Sequence, residues 1–144
     1  MTGHVENGFS AAIAGAELPL KNYPHGGVIF VKDDKADCAY VVERGRVEIR
    51  DKGRVLERIG PGEIFGEIGM IDRGRRSASA VAVEATEIHV IDRAAFDRLV
   101  REHPDFALAI MRDLARRLRS MNAHQRPATG LPLAPGRPDR RSAG

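Results

Sequence analysis

The sequence FGEIGMIDRGRRSASAVA, residues 65–82, decides how the rest of the chain is interpreted. It begins with a Gly-Glu pair, passes through a short apolar turn and ends in an arginine followed by small residues. The turn carries Ile68, Met70 and Ile71, which suit a short helix packed against a core. Unpaired backbone N–H groups at the start of such a helix attract an anion. The stretch therefore predicts a site for an anionic ligand.

The polar residues of this stretch suit a nucleotide whose phosphate and ribose hydroxyl lie side by side. Gly66 has no side chain to keep a ligand away. The guanidinium of Arg76 can fork onto phosphate oxygens, and the hydroxyl of Ser77 can add one more hydrogen bond. Glu67 cannot bind the phosphate, because like charges repel, but its carboxylate can accept a hydrogen bond from a sugar hydroxyl. These residues predict a cradle for a cyclic phosphodiester.

Length and composition fit one folded domain. The chain has 144 residues, of which 42% are apolar and 30% charged, so disorder throughout is excluded. No apolar run is long enough to span a bilayer, and residues 1–10 lack the basic start and apolar stretch of a secretory signal. We therefore expect a cytoplasmic protein without a membrane segment.

Cysteine, histidine and charge usage narrow the chemistry. Cys38 is the only cysteine, which excludes an internal disulfide and a thiolate-held iron–sulfur cluster and suggests a small buried residue in a strand. The five histidines show no metal-ligand spacing, so neither a metal nor a cofactor is expected. Residues 126–144 hold four arginines and one aspartate, and thus the whole net charge of +3. This basic tail is either solvated or a contact for nucleic acid or an acidic partner.

Upstream and downstream of the opening stretch, the sequence predicts a β-roll. A short helix over residues 9–15 places Phe9 and Ile13 on one face. Short strand-forming runs then alternate with turns roughly every eight to twelve residues, as in sandwiches and rolls. A three-residue connection at 51–53 ends in glycine, where positive φ is often required. The runs cover residues 18–23, 28–31, 38–42, 46–50, 54–59, 77–83 and 86–91.

The pattern becomes helical after residue 91. Asp92 fits the N-cap of a helix over residues 93–103, and Pro104 suits the first turn of a second helix. In the second helix, an apolar stripe is expected to pack on the roll, and arginines cover much of the remaining surface; the stripe is Phe106, Ile110, Leu114, Leu118 and Met121, and the arginines are Arg112, Arg116, Arg117 and Arg119. We therefore predict an N-terminal segment at 1–17, a domain at 18–125 and a disordered tail at 126–144.

This order of elements resembles the cyclic-nucleotide-binding domain family. The resemblance covers roughly Leu18 to His124 and rests on a β-roll that contains Gly66-Glu67 and Arg76-Ser77-Ala78 and is followed by two helices. It implies an α+β fold: an eight-stranded antiparallel, jelly-roll-like β-roll with a short N-terminal helix, a short cassette helix and two C-terminal helices. Residues 66–78 then form the phosphate-binding cassette.

The resemblance also implies a role for each cassette residue. The backbone at Gly66 and Ile68 would face the nucleotide, and Glu67 would bind the ribose 2′-hydroxyl. Arg76 would bind the cyclic phosphate, and Ser77 one of its oxygens.

Outside the cassette, the resemblance implies two further sets of contacts. An apolar wall beside the base would consist of Val47, Ile49, Leu56 and Ile59, which fit a plain roll core equally well. The end of the last helix would cover the base through Arg117, Met121 and Asn122. An asparagine carries both a donor and an acceptor for a purine edge. The alternative for this helix end is simple exposure to solvent.

The implied function is that of a receptor. It would bind a cyclic nucleotide, cAMP in preference to cGMP, and change conformation on binding; Ser77 leaves the choice of nucleotide open. Glu67 has no second carboxylate placed for acid–base chemistry, so enzyme activity is not expected. A proline-rich tail follows Pro127 where a helix-turn-helix domain would stand. We therefore expect a protein that does not bind DNA and that signals through an unidentified effector protein. We also expect a monomer, because the last helix is short for the dimer helix of the family and its apolar face is needed on the roll.

Two alternatives stay open. One is a degenerate member that keeps the fold for interaction and binds no nucleotide. The other is a nucleic-acid-associated protein that uses the basic last helix together with the tail.

Overall fold

A computed structural model describes residues 9–125, so the predictions for the first eight residues and for the basic tail at 126–144 lie outside the described part. Within it the chain forms eight strands and four helices. The strands are β1 (Leu20–Tyr23), β2 (Val28–Phe30), β3 (Cys38–Arg44), β4 (Val47–Asp51), β5 (Arg54–Ile59), β6 (Ile64–Phe65), β7 (Ser79–Ala82) and β8 (Thr86–Asp92). The helices are α1 (Phe9–Ile13), α2 (Glu67–Asp72), α3 (Arg93–Glu102) and α4 (Pro104–Gln125).

The strands form two four-stranded sheets in which every pairing is antiparallel. One sheet has the order β1-β8-β3-β6 and the other the order β2-β7-β4-β5. The predicted α+β class, an antiparallel roll with an N-terminal helix, a cassette helix and two C-terminal helices, is confirmed. The sequence pattern missed β6, because a strand of two residues has no periodicity to detect.

The turn between β4 and β5 is one residue shorter than predicted. Asp51 pairs with Arg54, so the connection has two residues, Lys52 and Gly53, and not three. Their φ angles are 53° and 76°. Two positive φ angles are typical of the turn that matches the twist of paired strands, and they explain the glycine at the second position.

Apolar side chains from both sheets meet in one core. Its buried members are Val42, Val47, Ile59, Phe65, Ala80 and Ile88, and the partly buried Tyr23, Ile29, Phe30, Tyr40 and Ile49 pack against them. A separate aromatic cluster holds α1: the ring of Phe106 lies 5.9 Å from that of Phe9 and 5.7 Å from that of Phe96, in edge-to-face geometry.

The two C-terminal helices follow the predicted pattern in part. Asp92 caps α3, because its Oδ1 accepts a hydrogen bond of 2.9 Å from the backbone N of Ala95. On α4, Phe106 is buried, but Leu118 and Met121 are 62% and 56% exposed. The expectation that the whole stripe is buried is therefore wrong for the last two positions. Helical spacing defines a face, but only a partner surface buries it.

The described chain divides into two compact units between Ala109 and Ile110. Within residues 9–125, none of the helices combines the length and apolar character needed to cross a membrane.

Candidate functional site

Arg76 is the best-buried arginine of the cassette, with 5% of its surface exposed. Its backbone is fixed on both sides by the loop after β2. The N–H of Arg76 donates to the carbonyl of Asp34 at 2.8 Å, and the N–H of Asp33 donates to the carbonyl of Arg76 at 2.8 Å. These two bonds place the side chain at the edge of the core, although the cassette itself is a loop at this point.

The guanidinium of Arg76 binds two backbone carbonyls. Nη1 donates to the carbonyl of Gly66 at 2.9 Å, and Nη2 donates to the carbonyl of Cys38 at 2.6 Å. Nε is buried and has no hydrogen-bond partner among the described residues. The cassette thus joins its two ends, Gly66 and Arg76, and retains a buried donor that an oxyanion would satisfy.

Two aromatic rings also contact this guanidinium. Its central carbon lies 4.1 Å from the ring centroid of Phe30 and 5.7 Å from that of Tyr40. The two rings are stacked on each other with centroids 6.0 Å apart, and Tyr40 also stacks on Phe65 at 5.0 Å. Arg76 therefore lies against an aromatic surface that belongs to the core.

Gly66 is required by geometry as well as by conformation. Its φ angle is 80°, in the region that L side chains rarely adopt. A Cβ built at this position would lie 2.9 Å from Nη1 of Arg76 and 3.3 Å from Cδ2 of Tyr40. The glycine therefore permits both the turn into α2 and the close approach of the arginine.

Glu67 is fully buried at the first position of α2. A carboxylate is favourable in the first turn of a helix, because the exposed N–H groups there carry partial positive charge. The far end of α2 is held by α3, where Nη2 of Arg93 donates to the carbonyl of Met70 at 2.5 Å. A buried carboxylate in a position held at both ends of its helix is a suitable acceptor for a ligand hydroxyl.

The remaining cassette predictions fall on exposed positions. Ile68 is 47% exposed, and Ser77 is exposed beside the buried Arg76. Arg75, the neighbouring arginine, is also exposed and donates to the carbonyl of Asp33 at 3.1 Å. The structure therefore brings together Gly66, Glu67 and Arg76, while Ile68 and Ser77 stay accessible next to them.

The predicted apolar wall divides into core and surface. Val47 and Ile59 are directly paired across β4 and β5 and are 0% and 2% exposed, and Ile49 packs against the same cluster. Leu56 is 55% exposed and lies where the register of the two strands shifts. A bulge turns a side chain out of the regular alternation, which explains this exposure. Contact of these four residues with a base stays a prediction.

The residues predicted to cover the base lie on α4. Arg117 is partly buried, and its Nη2 lies 3.2 Å from Oδ2 of Asp113 one turn earlier. Met121 and Asn122 are exposed. Their contact with a ligand stays a prediction.

Two ionisable side chains near Arg76, Tyr40 and Cys38, have raised pKa values. Burial raises the pKa of Tyr40, and burial together with the nearby carboxylate of Asp92 raises the pKa of Cys38. Both groups are therefore neutral at pH 7. Cys38 is half-buried, less than its predicted role as a buried strand residue implies.

In the part of the chain described, no group of three or more His, Cys, Asp or Glu side chains is placed to hold a metal ion.

Sequence reasoning missed three groups that touch the cassette. They are the ring of Phe30, the ring of Tyr40 and the carbonyl of Cys38. All three lie on β2 and β3, far from Arg76 in sequence. Nothing in the local pattern pairs a strand aromatic with a later arginine, so only the fold identifies them.

Comparison with known proteins agrees with this geometry. A family model described as "Cyclic nucleotide-binding domain" matches residues 20–103. The match therefore includes the cassette, both sheets and all of α3.

Similar proteins and structures extend the same match. The chain is 42% identical over 102 residues to "Cyclic AMP receptor protein" of Thermus thermophilus, covering 67% of this chain and 47% of that protein. It is 31% identical over 111 residues to "CRP-like cAMP-activated global transcriptional regulator" of Mycobacterium tuberculosis, covering 74% and 50%. The crystal structure of Thermus thermophilus catabolite activator protein superposes with a TM-score of 0.71 at 37% identity, covering 83% of this chain and 57% of that one. The chain thus spans about half the length of these curated relatives.

Proposed function

The chain belongs to the cyclic nucleotide-binding domain family, and on that premise we propose that it is a receptor for a cyclic nucleotide, with cAMP preferred over cGMP. The preference for cAMP is supported by the names of two relatives, a cyclic AMP receptor and a cAMP-activated regulator. Ser77 is compatible with either nucleotide, so cGMP is the second ligand to test.

One observation carries the proposal. Arg76 is 5% exposed, is held by the carbonyls of Gly66 and Cys38, and retains a buried Nε without a partner in the described residues. A cation that is held in place before the ligand arrives loses little side-chain entropy on binding a phosphate. The neighbouring Glu67 is buried as a carboxylate-bearing acceptor.

The proposed roles of the residues follow from their chemistry. Arg76 binds the cyclic phosphate, and Glu67 accepts a hydrogen bond from the ribose 2′-hydroxyl. Ser77 adds a bond to a phosphate oxygen, and the backbone at Gly66 and Ile68 faces the nucleotide. A negative phosphate beside Arg76 and a neutral hydroxyl beside Glu67 match each partner by charge.

The proposed output is a conformational change read by another protein. A ligand shifts an equilibrium between two states only by its different affinity for them. The residues proposed for binding need no catalytic step, so we propose a receptor that has no enzyme activity and acts in the cytoplasm through an effector protein.

Calorimetric titration with cAMP and cGMP tests the proposal, with 5′-AMP as the ligand that lacks the cyclic phosphodiester. We expect the wild type to bind cAMP most tightly and 5′-AMP least. Arg76→Ala should weaken cAMP binding roughly 10- to 150-fold, since hydrogen bonds to a charged group contribute about 1.5 to 3 kcal/mol.

Arg75→Ala is the matched control, because Arg75 is adjacent in sequence, has the same charge and is exposed. It should bind cAMP like the wild type. The proposal is wrong if the wild type binds none of the cyclic nucleotides, or if Arg75→Ala and Arg76→Ala lose the same affinity.

A second candidate is nucleic-acid binding through the basic surface of α4. Arg112, Arg116 and Arg119 are exposed on that helix, which favours it, but Arg116 is paired with Asp113 at 3.1 Å, which reduces the free positive charge. This candidate requires an affinity for DNA or RNA that falls steeply with salt. A gel-shift series against salt concentration decides it.

A further inference from the structure

The strands before the cassette supply an aromatic surface to the phosphate-binding arginine. The ring of Phe30 lies 4.1 Å from the central carbon of the Arg76 guanidinium, closer than any other ring. Tyr40 stacks on Phe30 at 6.0 Å between centroids, lies 5.7 Å from the same guanidinium carbon, and is itself stacked on the buried Phe65. The ring of Phe30 thus packs against two further rings, those of Tyr40 and Phe65.

This arrangement restricts the arginine in a direction that its hydrogen bonds leave open. The carbonyls of Gly66 and Cys38 fix Nη1 and Nη2. Two bonds from one planar group still permit rotation about the line that joins them, whereas a ring packed against the guanidinium carbon opposes that rotation. The attraction of a cation to a ring face is strongest where water is excluded, and Arg76 is almost fully buried.

Resting on the proposed function, we propose that Phe30 is a positioning residue for nucleotide binding: its ring holds the Arg76 guanidinium in the orientation that receives the cyclic phosphate. Phe30 itself does not contact the phosphate. It acts through Arg76, and the rings of Tyr40 and Phe65 pack against it. Replacing the ring by an aliphatic side chain removes the face against which the guanidinium is held and leaves both carbonyl bonds available.

The first test is nucleotide affinity in matched variants, measured by calorimetry with cAMP. Phe30→Leu should weaken binding roughly 5- to 30-fold, the equivalent of a desolvated cation–ring contact. Phe30→Tyr keeps the ring face and should restore affinity to within about twofold of the wild type. Phe96→Leu is the control, because Phe96 packs edge-to-face on Phe106 in another aromatic cluster and makes the same change of size.

Thermal stability separates a positioning role from a merely structural one. If Phe30 positions Arg76, both leucine variants should lower the thermal unfolding midpoint, but only Phe30→Leu should lower the affinity for cAMP. In an Arg76→Ala background, Phe30→Leu should have no further effect, because the group that it positions is gone. Additive losses in the double variant, or equal losses in Phe30→Leu and Phe96→Leu, would overturn the role of Phe30.

A second measurement needs no ligand. The side-chain Nε–H signal of Arg76 in a ¹H–¹⁵N spectrum, assigned by its loss in Arg76→Lys, should move when the ring at position 30 is removed and stay in place in Phe96→Leu. An unmoved signal in Phe30→Leu contradicts the contact itself. Failure of the wild type to bind any cyclic nucleotide overturns the proposed function and the role of Phe30 with it, whereas wild-type affinity in Phe30→Leu overturns the role of Phe30 alone.

Discussion

The phosphate-binding cassette and the end of α4 carry two halves of the predicted ligand contact, and they differ in how their side chains are held. In the cassette, Glu67 and Arg76 are buried, and Arg76 has hydrogen bonds at both terminal nitrogens. Near the end of α4, Met121 and Asn122 are exposed. The residues that would bind phosphate and ribose are buried, and those that would bind the base are accessible to solvent.

The difference shows where binding energy and specificity are expected to come from. A side chain that is already held contributes its full hydrogen bond to a ligand, whereas an exposed helix-end side chain must first lose rotamer freedom. The cassette chemistry recognises a cyclic phosphate and a ribose, which all cyclic nucleotides share. Discrimination between bases then depends on exposed residues, whose side chains lose more rotamer entropy when the ligand binds.

The largest expected effect concerns the ribose contact of Glu67. The wild type should bind cAMP roughly 10- to 150-fold more tightly than 2′-deoxy-cAMP, since the missing hydroxyl leaves a buried carboxylate without the bond worth about 1.5 to 3 kcal/mol. Glu67→Gln replaces a charged acceptor by a neutral one of the same shape. The preference should fall to roughly 2- to 12-fold, for a neutral bond of about 0.5 to 1.5 kcal/mol.

Glu63→Gln controls for the loss of one negative charge near the cassette. Glu63 is exposed and accepts a hydrogen bond from the backbone of Gly60 at 2.6 Å. It should keep the wild-type preference for the 2′-hydroxyl in the same calorimetric titration. A wild type that does not distinguish cAMP from its 2′-deoxy analogue would show that Glu67 does not bind the ribose.

The next effect separates backbone strain from the space that Arg76 needs. Gly66 and Gly53 have φ angles of 80° and 76°, but a Cβ at Gly53 meets nothing within 4 Å, while a Cβ at Gly66 lies 2.9 Å from Nη1 of Arg76. Alanine at either position should lower the free energy of unfolding by about 1 to 2 kcal/mol. Only Gly66→Ala should also weaken cAMP binding, by about tenfold or more, because it displaces a charged hydrogen-bond donor.

Chemical denaturation gives the two stabilities and calorimetry the two affinities. Equal affinities in Gly66→Ala and Gly53→Ala would mean that the fit of Arg76 against Gly66 has no part in nucleotide binding. The comparison would then reduce to the cost of a left-handed residue in two different turns.

How far the sequence predicts this molecule depends on the range of the interactions involved. Most strands of the roll and the cap at Asp92 follow from patterns within a few residues, and the structure confirms both. The two-residue strand β6 and the bulge at Leu56 do not follow from such patterns. The strand β6 forms by pairing with the distant β3, and the bulge comes from the register of β5 against its hairpin partner β4. Neither leaves a periodic signal in the short segment itself.

The candidate site divides in the same way. The cassette residues are adjacent in sequence, so a motif identifies them. The groups that hold Arg76, which are Phe30, Tyr40 and the carbonyl of Cys38, come from strands much earlier in the chain. A backbone carbonyl has no sequence signature, and an aromatic residue in a strand predicts core packing before it predicts contact with an arginine.

The smallest effect is expected at the end of α4, where the prediction from the sequence is least constrained. If Asn122 reads the purine edge, Asn122→Ala should weaken cAMP binding roughly 2- to 12-fold, as for one neutral hydrogen bond, and should change the ratio of cAMP to cGMP affinity. Ser120→Ala is the control, because it removes another exposed polar group from the same turn of the helix. Unchanged affinity and an unchanged ratio in Asn122→Ala would mean that this helix end does not read the base. Recognition would then rest on the cassette, which binds what cAMP and cGMP have in common, and a strong preference between the two nucleotides would have to come from the roll.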